Sequence, residues 1–203
     1  MKEKIELIRK MNLDYYLNFI LKHSNSNDAP YHNFSHLLTV AQNAYFIAIY
    51  ENLEEESIRL LLIAALFHDT NHSKGEYLDN INIENSIGFF NRASKESTND
   101  YNKIVSIIKA TEYPYKISEN LLNKEQLIIR DADIICCFEN SFIQDILIGL
   151  GSETKTPIDD MIKNQLKFLE NLNCRSDYAI KKVKKFLPKV KKEMLYLQKI
   201  LNQ

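Results

Sequence analysis

The chain is expected to be all-α, a single-domain helical bundle of about seven or eight helices. Three observations carry that expectation. Apolar residues recur at helical spacing along nearly all of the 203 residues. Only four glycines and four prolines interrupt them, too few for turn-rich β structure. Hydrophobic residues make up 45% and aromatics 10%, enough for a sizeable core and against a disordered chain. No internal repeat and no Gly-, Ser- or Pro-rich linker divides residues 1–203, so they read as one domain.

The elements follow in order. Ile5, Leu7, Ile8 and Met11, then Tyr15, Tyr16, Phe19 and Ile20, predict one amphipathic helix over about 3–22. The polar SNSNDAPYHN is a loop, and Asn33 or Ser35 caps a helix running to about Glu51. A further helix covers about 55–69, and the non-periodic NHSKGEYLDNINIEN leads into another at about 83–95. Asn99 and Asp100 are expected to cap a helix that ends before Pro114. Glu125–Leu150 reads as a helix with a possible break, closed by Gly149 and Gly151. Thr156 as cap and Pro157 at the first helical position start the C-terminal helices of 157–201. Ser176 and Asp177 open the last of these, with a kink expected at Pro188.

Composition excludes several function classes. Twenty-six basic residues balance 27 acidic ones, so nothing global attracts nucleic acid or an anionic membrane. The N-terminal MKEKIELIRKM lacks the apolar stretch of a signal peptide, and no apolar run approaches the roughly 20 residues that span a bilayer. Three cysteines, two adjacent (Cys136, Cys137), read as reduced core thiols rather than a disulfide framework. A cytoplasmic location is expected. A homo-oligomer is compatible with the sequence and not required by it.

Candidate metal ligands fall in four places. YHNFSH holds His32 and His36 at i, i+4; FHDTNH holds His68, Asp69 and His72; an acidic loop carries Asp79 and Glu84; RDADII carries Asp131 and Asp133. Each alone has a bland reading: loop and cap histidines, a chance His–Asp dipeptide, or half-buried carboxylates paired with Arg130 or lysines. Together they weigh differently. Four of the five histidines, all but His23, lie in two short segments, and two carboxylates interrupt an apolar helix where unpaired charge is costly. Imidazole with carboxylate suits Mn, Fe, Zn, Co, Ni or Mg. An adjacent His–Asp pair projects about 100° apart on a helix, which suits neighbouring coordination positions. Both HxxxH spacings lack the Glu that follows the first His in zinc peptidases, so a peptidase is excluded.

The order His36, His68–Asp69, Asp133 resembles the HD-domain superfamily of metal-dependent phosphohydrolases. The strings YHNFSH, ALFHDTNH, DNINIENS and RDAD resemble a small stand-alone branch of it, and are similar to the HD region of cyclic-nucleotide phosphodiesterases. The resemblance covers roughly residues 30–140 and leaves the C-terminal third aside. It implies His36, His68, Asp69 and Asp133 as ligands of one divalent ion. Asp133 is preferred to Asp131 because the family's Asp follows a small residue and precedes an apolar one, with Asp131 left open.

The resemblance also implies a catalytic group of His72, Glu84 and Lys74. His72 would face the open side of the ion, as a phosphate contact, a proton donor or a ligand to a second ion. Lys74 would contact phosphate, and Glu84 would orient or deprotonate water. Two-metal relatives carry further histidines before the final Asp and this chain has none after His72, which favours a mononuclear site. The implied reaction is hydrolysis of a phosphomonoester, phosphodiester or pyrophosphate bond in a phosphorylated small molecule, a nucleotide above all. His72, Lys74 or Arg130 would surround the phosphoryl oxygens. A metal- or nucleotide-binding helical sensor without turnover is the competing function.

Two further stretches are weighed. Lys109, Thr111 and Tyr113 in KATEYPYK are candidates for the pocket wall, although a helix end with surface aromatics is the plainer expectation. KKVKKFLPKVKK reads as an amphipathic helix with a solvated lysine face rather than a grip on nucleic acid.

Overall fold

The computed structural model describes residues 1–138 and 141–201. Among them are ten α-helices and no strand. Two helices at the N-terminus replace the single one expected: α1 (Lys2–Lys10) and α2 (Asp14–His23). The apolar spacing runs through the break, but Asn12 takes a left-handed φ of 58°. Asparagine tolerates that conformation, and the N–H groups of Asn12 and Leu13 then close the helix end on Arg9 and Ile8.

Helix α3 (Phe34–Tyr50) is capped by Asn33, whose side chain accepts the N–H groups of Ser35 and His36. It packs along α4 (Glu55–Phe67) and α7 (Lys124–Ile135). Every residue of α4 from Leu60 to Phe67 is buried, as its unbroken apolar run requires. Around this pair lie α5 (Asp79–Ala93) and α6 (Thr98–Lys109), with α6 packed along α4. Helix α5 begins four residues earlier than its periodicity suggests.

The cap of α6 is Ser97, not Asn99 or Asp100. Its hydroxyl accepts the Asp100 N–H and donates to the Asp100 carboxylate. In α7 the Asn123 and Gln126 side chains form a reciprocal capping box.

The helix expected over 125–150 is divided. Helix α7 ends at Ile135, and a π-helical segment (Ile143–Leu150) passes into the single turn α8 (Gly151–Glu153). Residues 139 and 140 of that expectation lie outside the described residues. Helix α9 (Ile158–Glu170) has Pro157 at its cap position rather than Thr156, whose hydroxyl meets Thr154 instead. Helix α10 (Asp177–Leu201) runs through Pro188. Ser176 opens it by accepting the Ala179 N–H. Val190 on α10 is buried while Lys184, Lys185 and Lys189 are exposed, matching an amphipathic helix with a lysine face. The three cysteines are free and buried. Among the described residues, no helix is long and apolar enough to cross a membrane.

Candidate metal centre

Three helices deliver the donors. The Asn33 cap sets His36 in the first turn of α3, facing inward and 7% exposed. Helix α4 ends at Phe67, so the pair expected on the helix itself lies just past it. His68 keeps helical φ and ψ (−54°, −36°), and Asp69 follows in the turn. Helix α7 brings Asp133 from 64 residues farther along the chain than Asp69.

The His68 Nδ1–H donates to the Ala65 carbonyl at 2.9 Å, which leaves Nε2 with its lone pair outward. On His36 the Nδ1 side faces the Cys136 sulfur at 3.7 Å. The two Nε2 atoms come within 3.3 Å of each other. Asp69 Oδ2 is 3.1 Å from His36 Nε2 and 3.0 Å from His68 Nε2. Asp133 Oδ1 stands 3.4 Å from His36 Nε2 and 3.7 Å from His68 Nε2.

Ligand atoms at about 2.1 Å from one ion stand roughly 3.0–3.4 Å from their neighbours in octahedral or tetrahedral sites. Four of the five distances fall in that range and the fifth, His68 Nε2 to Asp133 Oδ1, lies just beyond it, so the four residues could hold a metal ion. Two buried imidazole lone pairs aimed at two carboxylates need a cation between them, whether protons or a metal ion. Burial opposes charge on His36, but Cys136, Asp69 and Asp133 push its pKa up to about 10. The Cys136 thiol is itself held far above its usual range, so at neutral pH the carboxylates carry that effect. His68 is likewise raised against its burial by Asp69 and Asp133. Asp69 is lowered against its burial by His68, His32 and His36.

The HD-domain model matches residues 33–136, more than half of the chain. The chain belongs to the HD-domain family. The family is one of metal-dependent phosphohydrolases, and its match neither reaches His32 nor distinguishes the phosphodiesterase branch. No curated protein matches the chain.

The two aspartates of the HD-domain RDAD string part company. Asp133 joins His36, His68 and Asp69. Asp131, 2% exposed, turns to the start of α10, where its carboxylate accepts the N–H groups of Arg175 and Ser176 at 2.6–3.1 Å. Burial raises its pKa in spite of those bonds.

His72 lies beside the four donors rather than among them. The Asn82 amide oxygen accepts the Ser73 N–H, which fixes the amide and points its NH₂ at His72 Nε2, 3.0 Å away. Nε2 therefore accepts, while Nδ1 faces Glu153 Oε1 at 3.1 Å and accepts the Lys74 backbone N–H at the same distance. Against its burial, Glu153 and Asp69 raise the pKa of His72, while the Asn82 NH₂ opposes a proton on Nε2.

The His72 ring stacks on that of His32, with centroids 3.9 Å apart. His32 Nδ1 meets the same Glu153 oxygen at 2.6 Å, and its Nε2 is 3.8 Å from Asp69 Oδ2. Glu153 Oε2 also accepts the backbone N–H groups of Tyr31 and His32. These contacts hold its carboxyl far below the usual range in spite of burial. His32, His72 and Glu153 thus form a second group of donor atoms within 4.8 Å of one another.

Three residues singled out in the sequence lie elsewhere. Glu84 is exposed on α5, whose inward positions are Asn82 and Ser86; the carboxylate that meets His72 is Glu153. The Lys74 ammonium is turned to Asp28 at 3.6 Å. Arg130 is not directed at a phosphoryl group. Its Nε donates to the Ala110 carbonyl, both terminal nitrogens donate to the Ile117 carbonyl, and the guanidinium lies 4.0 Å over the Tyr115 ring.

Asp79 accepts the Tyr113 N–H at 2.6 Å and is raised by burial. Thr111 and Tyr113 do line a cavity, and Lys109 is exposed.

Glu153 is the functional candidate the sequence reading missed. It sits among rare glycines. Gly75, at φ 82°, has the Glu153 carbonyl 2.9 Å from where a Cβ would stand, and Gly149 has the Pro30 carbonyl at 3.1 Å. Three of the chain's four glycines lie at or beside this segment, a signal that it approaches other backbone closely.

Proposed function

We propose that the chain hydrolyses a phosphate ester or anhydride of a nucleotide-like small molecule. One divalent ion would be held by His36, His68, Asp69 and Asp133. The convergence of two imidazole lone pairs and two carboxylates at ligand spacing carries this reading. Two nitrogen and two oxygen donors suit Mn, Fe, Co, Ni or Zn better than Mg. Such an ion supplies a Lewis acid for a phosphoryl oxygen and for water.

The remaining roles belong to the chain's own groups. Asp133, whose side chain is 30% exposed, marks the open side of the site. His32 Nδ1 is paired with Glu153, so its Nε2 is the group available to hand a proton to a leaving oxygen. His72 orients that pair by stacking and by its own bond to Glu153. Glu84 and Lys74 act in this scheme only if their side chains turn inward.

The test combines metal analysis of the purified full chain with a phosphate- and pyrophosphate-release screen over nucleotides, with and without added Mn. Hydrolysis that survives both Asp69→Ala and Asp133→Ala sinks the proposal. Stoichiometric metal with no turnover across a broad panel moves the assignment to a metal- or nucleotide-binding sensor.

A further inference from the structure

A cavity of about 200 Å³ opens between His32 and Asp133, directly beside the four donors. Its walls are aromatic and apolar: Tyr113 and Tyr115 from the segment after α6, Ile134 from α7, and Phe168 from α9. Gln165 of α9 adds one amide. Among the described residues that line it, none is Lys or Arg.

Tyr113 and Phe168 meet edge to face at 6.4 Å and 75°, and Tyr113 and Tyr115 at 5.5 Å and 84°. Hydrogen bonds hold the backbone that carries the two tyrosines. Arg130 ties the carbonyls of Ala110 and Ile117 together from behind, and Asp79 holds the Tyr113 N–H.

Whole small ligands occupy roughly 300–1,000 Å³, so this cavity takes only part of one. Beyond His32, a phosphate chain entering it would meet no cationic side chain. A flat, uncharged ring would meet aromatic faces and edges, with the Gln165 amide offering one donor and one acceptor to its rim.

We propose that this cavity seats the nucleobase of a nucleotide whose single phosphoryl group lies at the four donors. Preference for a monophosphate over a polyphosphate would then be set by Phe168 and Tyr113. The proposal rests on the phosphohydrolase reading for the placement of the phosphate. The base-selecting wall comes in part from α9, which lies beyond the HD-matched residues.

The experiment titrates adenosine, guanosine, cytidine and uridine 5′-monophosphates, and ribose 5-phosphate, into the Mn-loaded full chain by calorimetry. Phosphate release is followed in parallel. Base–aromatic stacking is worth about 1–3 kcal/mol, so at least one nucleotide should bind about tenfold tighter than ribose 5-phosphate. That ratio should fall to about threefold or less in Phe168→Leu and in Tyr113→Ala. Both residues are partly exposed, and circular dichroism checks that each variant folds.

The proposal is overturned if all four nucleotides bind within threefold of ribose 5-phosphate. It is overturned equally if the ratio survives in both variants, or if a nucleoside triphosphate binds tenfold tighter than its monophosphate. A base preference without phosphate release sinks the hydrolase reading and leaves the pocket assignment standing.

Discussion

Asp131 and Asp133 stand two residues apart on one helix, and their substitution should give opposite phenotypes. Asp131→Ala removes the acceptor of two N–H groups at the start of α10, in a site where the carboxylate is 2% exposed. Each buried donor left unpaired costs about 1–3 kcal/mol, and losing a negative charge at a helix N-terminus adds about 0.3–1 kcal/mol. Partial rehydration reduces the sum, leaving a loss of about 3 kcal/mol. With an m-value of about 2 kcal/mol/M, the urea midpoint should fall by about 1.5 M.

Asp133→Ala should lower the metal-free midpoint less than Asp131→Ala does, because that side chain is 30% exposed and Asp69 remains to face His36 and His68. Its effect should appear on adding Mn. A ligand at a hundredfold over its Kd stabilises the folded state by about 2.7 kcal/mol, and this increment should vanish in Asp133→Ala while Asp131→Asn keeps it. Urea titrations of the parent and the three variants with and without Mn decide the matter. The reasoning fails if Asp131→Ala unfolds within about 0.5 kcal/mol of the parent, or if Asp131→Asn loses the Mn increment and Asp133→Ala retains it.

Three other outcomes follow from the same contacts. Gly75→Ala should destabilise by about 2 kcal/mol or more, since an alanine at φ 82° is strained and its Cβ would press on the Glu153 carbonyl; Gly88→Ala, with nothing within 4 Å on its helix, should gain about 0.5–1 kcal/mol in thermal melts. In metal-free protein the His36 pKa is raised from about 6.5 to about 10, so its stabilising contribution is complete below pH 6.5 and is lost as pH climbs through 10. The unfolding free energy of the metal-free chain, from urea titrations, should therefore fall by at most about 3 kcal/mol between pH 7 and 10, and that of the Mn-loaded chain should stay flatter. Glu153→Gln keeps an oxygen for the Tyr31 and His32 N–H groups but removes the charge facing His32 and His72. Turnover should drop about 100-fold with metal content intact, as phosphate release and metal analysis on one preparation would report.

The parts of the fold legible in the sequence were those written in local pattern. The run from Leu60 to Phe67 specified a wholly buried helix, and Asn33 announced the cap that aims His36. The family's ordered motifs pointed to four residues whose donor atoms lie within 4.8 Å of one another. What escaped was decided by contacts between distant segments or by one-residue geometry. Nothing periodic marks the reversal at Asn12, which depends on a tolerated left-handed φ. Glu84 looked as apt as any carboxylate near the site, but its position on α5 faces outward and Asn82 faces in. Lys74 follows a turn that carries its ammonium to Asp28. Glu153 could not be paired with His32 from sequence alone, since 121 residues separate them and only packing brings them together.

Helix α7 distributes a single turn of side chains to three separate parts of the molecule. Arg130 grips the two ends of the segment that carries the aromatic cavity wall, Asp131 holds the start of α10, and Asp133 faces the donor group. A helix moves as a stiff rod, so these three attachments cannot shift independently. A small slide or rotation of α7 would change the cavity wall, the seat of the C-terminal helix and the spacing of the four donor groups together. Substitutions under α7, at Ile128 or Ile129, would consequently show up as correlated changes in substrate affinity, metal affinity and stability rather than in any one of them.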